Sequence, residues 1–174
     1  EAQIVANRGT SGIDGVVSTA WGVAVAQWDD DAGTTYALIG DLTALYDRNG
    51  LLAPEVERRP DLVLVIVDND GGGIFSQLEQ AGLPGFERVF GTPHGRDLAA
   101  ALTGVECVTV DGSGVAGDGV SDVGAVDRAL DHLVADRAGP RALIVRTIPR
   151  DEEAAILTEL RGRVRTALAQ LPRP

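Results

Sequence analysis

Hydrophobic positions along this chain follow two alternating periods. "LVLVIVD", 62–68, is apolar at nearly every position, as in a strand covered on both faces. "YALIG" (36–40), "CVTVD" (107–111) and "ALIVRTI" (142–148) have the same character. "QIVA" (3–6) reads as a further short strand. Helical spacing fills the intervals. "SGIDGVVSTAWGVAVAQW" predicts a helix from about Gly12 to Gln27, and "LTALYDRNGLL" one from about Thr43 until "NG" breaks it near Asn49. "IFSQLEQ" predicts a short helix, and "RDLAAALTG" and "VGAVDRALDHLVAD" two more. "DEEAAILTELRGRVRTALAQL" predicts an amphipathic terminal helix with acids in its first turn, able to pack on the sheet or on a partner, with core packing the expectation. The intervening "DDDAGTT", "APEVERRP", "GLPGFERVFGTPHG" and "GSGVAGDGVSD" are loops, and no internal repeat is present. Strand–helix–strand alternation predicts an α/β fold, a doubly wound parallel sheet with helices on both faces.

Length and charge narrow this picture. The 174 residues suit a single domain, 1–174. The formal net charge of -11 argues against nucleic acid as a partner, because phosphate backbones need a basic surface. It leaves room for an anionic small ligand held by local groups. No apolar run approaches the roughly 20 residues of a membrane helix, and "EAQIVANRG" lacks the blocks of a signal peptide. Cys107 is the one cysteine, so no internal disulfide can form, which fits a reducing, cytoplasmic setting. Methionine is absent and the chain opens almost directly on "QIVA", so a piece of a longer polypeptide is expected.

Doubly wound sheets bind ligands at the carboxyl ends of their strands. Two ends stand out here. One is "LIGDLT", where Asp41, Leu42 and Thr43 open a helix; the other is "VDNDGGGIF", Val67 to Phe75. Asp41 and Asn69 are 28 positions apart, the length of one crossover unit. Neighbouring strands would bring both side chains out at one sheet edge. A carboxylate and an amide oxygen suit a hard cation such as Mg²⁺, with the Gly71 carbonyl as a third protein ligand. The glycines allow close approach, and helix N-termini offer N–H groups to a diphosphate. Taken singly, Asp41 is an N-cap and the glycine run a turn; the pair at this spacing points to a site. The G-x-G-x-x-G and G-x-x-x-x-G-K-[ST] phosphate motifs are absent.

"GDL" followed at this distance by "DNDGG" resembles the signature of thiamine-diphosphate enzymes, which hold the cofactor's diphosphate through Mg²⁺. "NRGTSGIDG", "GDLTALYDRNGLL", "NDGGGIF" and "FGTPHG" together resemble the 2-succinyl-5-enolpyruvyl-6-hydroxy-3-cyclohexene-1-carboxylate synthases of menaquinone biosynthesis. The resemblance covers roughly residues 5–110, and the last third matches in layout. It implies the C-terminal, diphosphate-binding domain of a three-domain enzyme. Such an enzyme decarboxylates 2-oxoglutarate and adds the four-carbon unit to isochorismate in a Stetter-like 1,4-addition.

The resemblance also implies roles. Asp41, Asn69 and the Gly71 carbonyl would ligate Mg²⁺, with Mn²⁺ as a substitute. Gly40, Leu42, Thr43 and Gly72 would contact the diphosphate. Ser11, Gly12 and Ile13 would support the bent cofactor, and Arg8 would bind a substrate carboxylate. Ile74 and Phe75 would line the substrate pocket, with Ile74 also against the cofactor. The glutamate that activates the aminopyrimidine would lie on another domain, in a homo-oligomer, dimer or tetramer. Two departures stand out: Leu42 at the third position of the first motif, and Asp68 where the wider family has an amide. Three other readings remain open: the diphosphate domain of a thiamine-dependent decarboxylase or acetolactate-type synthase, a non-catalytic binding module, and a scaffold domain whose glycine loop is only a turn. His94 reads as a structural loop histidine, His132 as solvent-facing, and "DDD" at 29–31 as a solvated loop.

Overall fold

The computed structural model describes residues 3–7, 12–27, 33–112, 123–135 and 139–170. Four parallel strands form one sheet: β1 (Thr35–Gly40), β2 (Leu62–Asp68), β3 (Glu106–Asp111) and β4 (Pro140–Arg146), in the order β1-β2-β4-β3. The apolar runs form strands because both faces of the central pair are covered. Leu62, Leu64 and Ile66 point to one face and meet α1 (Val16–Ala26), α2 (Asp41–Tyr46) and α3 (Leu98–Ala101) through Val17, Ala44 and Leu98. Val63 and Leu143 point to the other and meet Ala129 and Leu133 of α4 (Val123–Ala135). Helices on both faces of a parallel sheet make the doubly wound architecture that the alternation predicts.

Local chemistry sets the boundaries. α2 starts at Asp41 itself rather than near Thr43, because the Asp41 carboxylate accepts the Leu42 N–H at 2.6 Å. It stops at Tyr46, and a 3₁₀ turn (Arg48–Leu51) follows. Asp47 accepts the Ser18 N–H at 2.8 Å, tying α1 to that turn, and a Cβ on Gly50 would strike Ser18. The expected helix in "IFSQLEQ" is two 3₁₀ turns, and the one in "RDLAAALTG" shrinks to four residues after Asp97, which caps it through the Ala100 N–H. At the other end of the sheet the buried Arg141 pairs with Asp61.

Two expectations fail. Residues 3–6 form no strand, and Ile4 and Val5 are exposed; no strand among the described residues pairs with them, and apolar character alone does not make a ladder. The terminal helix, α5 (Arg150–Ala169), buries no residue. Its apolar stripe, Ile156, Leu160, Val164 and Leu168, repeats every fourth position and faces outward, at least half exposed throughout. The stripe is amphipathic, but the sheet face it would cover is taken by α4 and its own contact is with the 3₁₀ turn after the glycine loop. Tyr36 and Leu38 on the edge strand β1 are also exposed.

Candidate functional site

The register builds the site. Gly40 of β1 is level with Val67 of β2, so the next residues, Asp41 and Asp68, emerge side by side. Asp68 is in turn level with Arg146 at the end of β4. Three strand ends therefore deliver charged side chains to one sheet edge.

Asp41 is 2 % exposed. One of its oxygens accepts the Leu42 N–H; the other accepts the Gly71 N–H at 2.8 Å and lies 3.2 Å from His94 Nε2. His94 Nε2 is also 3.7 Å from Asp68. One ligand atom from each of Asp41, Asp68 and His94 falls within a 4.8 Å cluster. His94 arrives on the loop after the turn at Glu87–Gly91, and Asp70 holds that loop by accepting the His94 and Gly95 N–H groups at 3.0 and 2.7 Å. Burial pushes the Asp68 carboxyl above the ordinary carboxylate range; the Asp70 N–H works against this, and the Asp41 charge adds to it.

The glycines of the loop are required by close approach. Gly71 has φ 129, and a Cβ there would strike the Gly91 carbonyl; one on Gly72 would strike the Phe90 carbonyl. The Gly72 N–H donates to the Gly91 carbonyl at 2.7 Å. Beside this packing runs an open cleft of about 940 Å³, bounded by Asp68, His94, Arg96, Arg146 and Arg150. Arg150 donates to Glu87 at 2.8 Å, and its Nη1 is buried without a partner among the described residues.

The residues singled out in the sequence fare differently. Asp41 and Gly71 come together, with Asp68 beside them, while Gly72 packs on Phe90 and Gly91. Asn69 is half-buried with its amide against Gly73, and Gly71 meets Asp41 through its N–H while its carbonyl accepts the Gly73 N–H at 3.0 Å. Gly40 ends β1, and Leu42 and Thr43 are half-buried in the first turn of α2. Ile74 is 76 % exposed; Phe75 is partly exposed, its ring 5.8 Å from that of Phe90. Gly12 is exposed and Ile13 half-buried just ahead of α1. Arg8, Ser11 and "DDD" at 29–31 lie outside the described residues. His132 is solvent-facing, as expected, 3.4 Å from Glu106. His94 is a loop histidine with a structural contact, as expected, and what the sequence did not show is its partner: it sits, 8 % exposed, against the Asp41 carboxylate. Arg146 and Arg150 were not legible as site residues, because nothing local says that β4 lies beside β2.

The donor set fits a divalent cation. The buried Asp41 carboxylate and the half-buried Asp68 carboxylate stand close together, and burial holds Asp68 above its ordinary range, so a bound cation would favour the ionised pair. The class that the structure shows is an α/β domain with a doubly wound parallel sheet, and this cluster lies at the carboxyl ends of its strands, where such sheets bind ligands.

Comparison with known proteins adds the particular family. No family model matches the chain. It is 42% identical over 170 residues to the 2-succinyl-5-enolpyruvyl-6-hydroxy-3-cyclohexene-1-carboxylate synthase of Kineococcus radiotolerans, which takes in 95% of this chain and 27% of that protein. The synthase of the same name from Renibacterium salmoninarum is 38% identical over 176 residues, 96% of this chain and 28% of its own length. That from Thermobifida fusca is 56% identical over 111 residues, 63% of this chain and 20% of its own length. The chain belongs to this synthase family, and it spans between a fifth and about a quarter of the length of these relatives.

Proposed function

We propose that this chain is the thiamine-diphosphate- and Mg²⁺-binding domain of a cytoplasmic, homo-oligomeric synthase of menaquinone biosynthesis that decarboxylates 2-oxoglutarate and joins the succinyl unit to isochorismate. One observation carries the reading beyond the similarity: the "GDL" and "DNDGG" segments meet at a single buried carboxylate, Asp41, through the Gly71 N–H. Mg²⁺ would be held by Asp41, Asn69 and the Gly71 carbonyl, with Mn²⁺ able to replace it. Gly40, Leu42, Thr43 and Gly72 would hold the diphosphate. Bound there, the cofactor would supply the electron sink for decarboxylation.

The chain's own residues supply position and charge. Arg8 would pair with a substrate carboxylate in a planar, two-point contact. Ile74 and Phe75, exposed beside the glycine loop, would exclude water from above the reacting atoms once a second domain closes over them. Ser11, Gly12 and Ile13 would brace the cofactor.

The activating glutamate is expected on another domain. The 174-residue chain alone should therefore give no measurable carboligation and bind the cofactor weakly or not at all. Turnover of 2-oxoglutarate and isochorismate by the isolated chain would overturn that statement. In the longer enzyme, Asp41→Ala and Asn69→Ala should each weaken thiamine diphosphate binding by calorimetry; an unchanged affinity in Asn69→Ala would sink the assigned ligand set.

A further inference from the structure

His94 is placed where a cation would sit, and its tautomer says how. The Arg96 N–H donates to His94 Nδ1 at 3.0 Å, so Nδ1 carries the lone pair. In the neutral ring the proton is then on Nε2, aimed at the Asp41 carboxylate 3.2 Å away. That proton argues against His94 as a cation ligand in this arrangement, because a ligating Nε2 needs its lone pair free. The imidazole instead satisfies Asp41 as a hydrogen-bond donor.

The rest of the segment is built to hold this state. Its backbone covers the glycine loop, with the Gly91 carbonyl on the Gly72 N–H. Asp70 clamps one end through the His94 and Gly95 N–H groups, and Arg150 clamps the other through Glu87. Positive φ angles bracket it at Gly85 (82) and Gly95 (55). Thr92, between them, has φ 40, a costly conformation for a β-branched residue.

We infer that the segment 85–95 is a latch: His94 occupies Asp41 in the ligand-free domain, and a divalent cation must displace it to bind. This rests on the proposed assignment of Asp41 to the cation site. It adds that the chain carries its own competitor for that site, so the cation's affinity reflects the opening of the latch as well as the ligands it finds.

The test is Mn²⁺ affinity of this chain, read by the electron paramagnetic resonance of the free ion at one fixed pH near neutrality. His94→Ala removes the competing donor and should bind Mn²⁺ about tenfold more tightly than the native chain, the scale of one hydrogen bond to a charged group. His94→Gln keeps a side-chain N–H near the position of Nε2 and should stay close to the native affinity. Adding Asn69→Ala to His94→Ala separates the two claims. Loss of the gain supports both the latch and the assigned ligand; a gain that survives keeps the latch and removes Asn69 from the ligand set. Equal or weaker binding by His94→Ala, or no binding by any of the chains, would overturn the latch.

Discussion

Asp68 has a raised pKa chiefly because it is buried, and that fixes how it acts on stability. A carboxyl whose native pKa lies above its unfolded value of about 3.8 favours the native state when protonated. Its contribution is therefore most favourable below the unfolded pKa and is lost as pH rises through the raised native value. Asp68→Asn should flatten this part of the pH–stability curve and raise the melting temperature at neutral pH; a lower neutral melting temperature would contradict it. Gly71 allows a second test at this scale. With φ 129 and the Gly91 carbonyl in the way of any Cβ, Gly71→Ala should cost about 3 kcal/mol, or on the order of 10 °C in a thermal melt. Asp41 and the glycines could be read in the sequence because a carboxylate at a strand end and a glycine run are local signals. His94 could not, since its partner lies 53 positions away and the loop between carries no period. That Asp68 also stands beside Asp41 follows from the β1–β2 register, which a shift of one position would reverse.

Among the elements, α5 separates amphipathicity from packing. Its spacing shows which face is apolar and does not show what covers it. The first turn, Asp151, Glu152 and Glu153, suits the positive end of the helix dipole, and the Ala- and Leu-rich body sustains the helix without burial. Leu160 is half exposed, so Leu160→Glu should shift unfolding of this chain by no more than about 0.5 kcal/mol in a denaturant melt. A helix packed into the core would lose several times that. The stretch 3–6 is the converse case, with strand composition and no ladder. The four strands that do form are those whose neighbours supply both hydrogen bonds and cover.

For the whole molecule, the alternation of periods was enough to give a parallel sheet with helices on both faces. The strand order β1-β2-β4-β3 was not, because the connection from β2 to β3 passes over a place that β4 fills only later in the chain. That order brings Arg146 beside Asp68 and opens the cleft next to the glycine loop. Among the described residues no helix is long and apolar enough to cross a membrane. The chain's similarity to synthases several times its length, and a catalytic glutamate expected on another domain, both lead to the expected inactivity of the chain by itself.

β1 carries one more consequence. Among the described residues it is one of the sheet's two edges, with Tyr36 and Leu38 standing 54 % and 75 % exposed. A bare rim with apolar side chains is a template onto which a second molecule can add a strand. The ligand-free chain should therefore gather into larger particles as it is concentrated, visible as concentration-dependent light scattering, and Leu38→Arg should suppress this. How the protein is stored, and not only what it binds, is therefore written partly into an edge strand with apolar side chains.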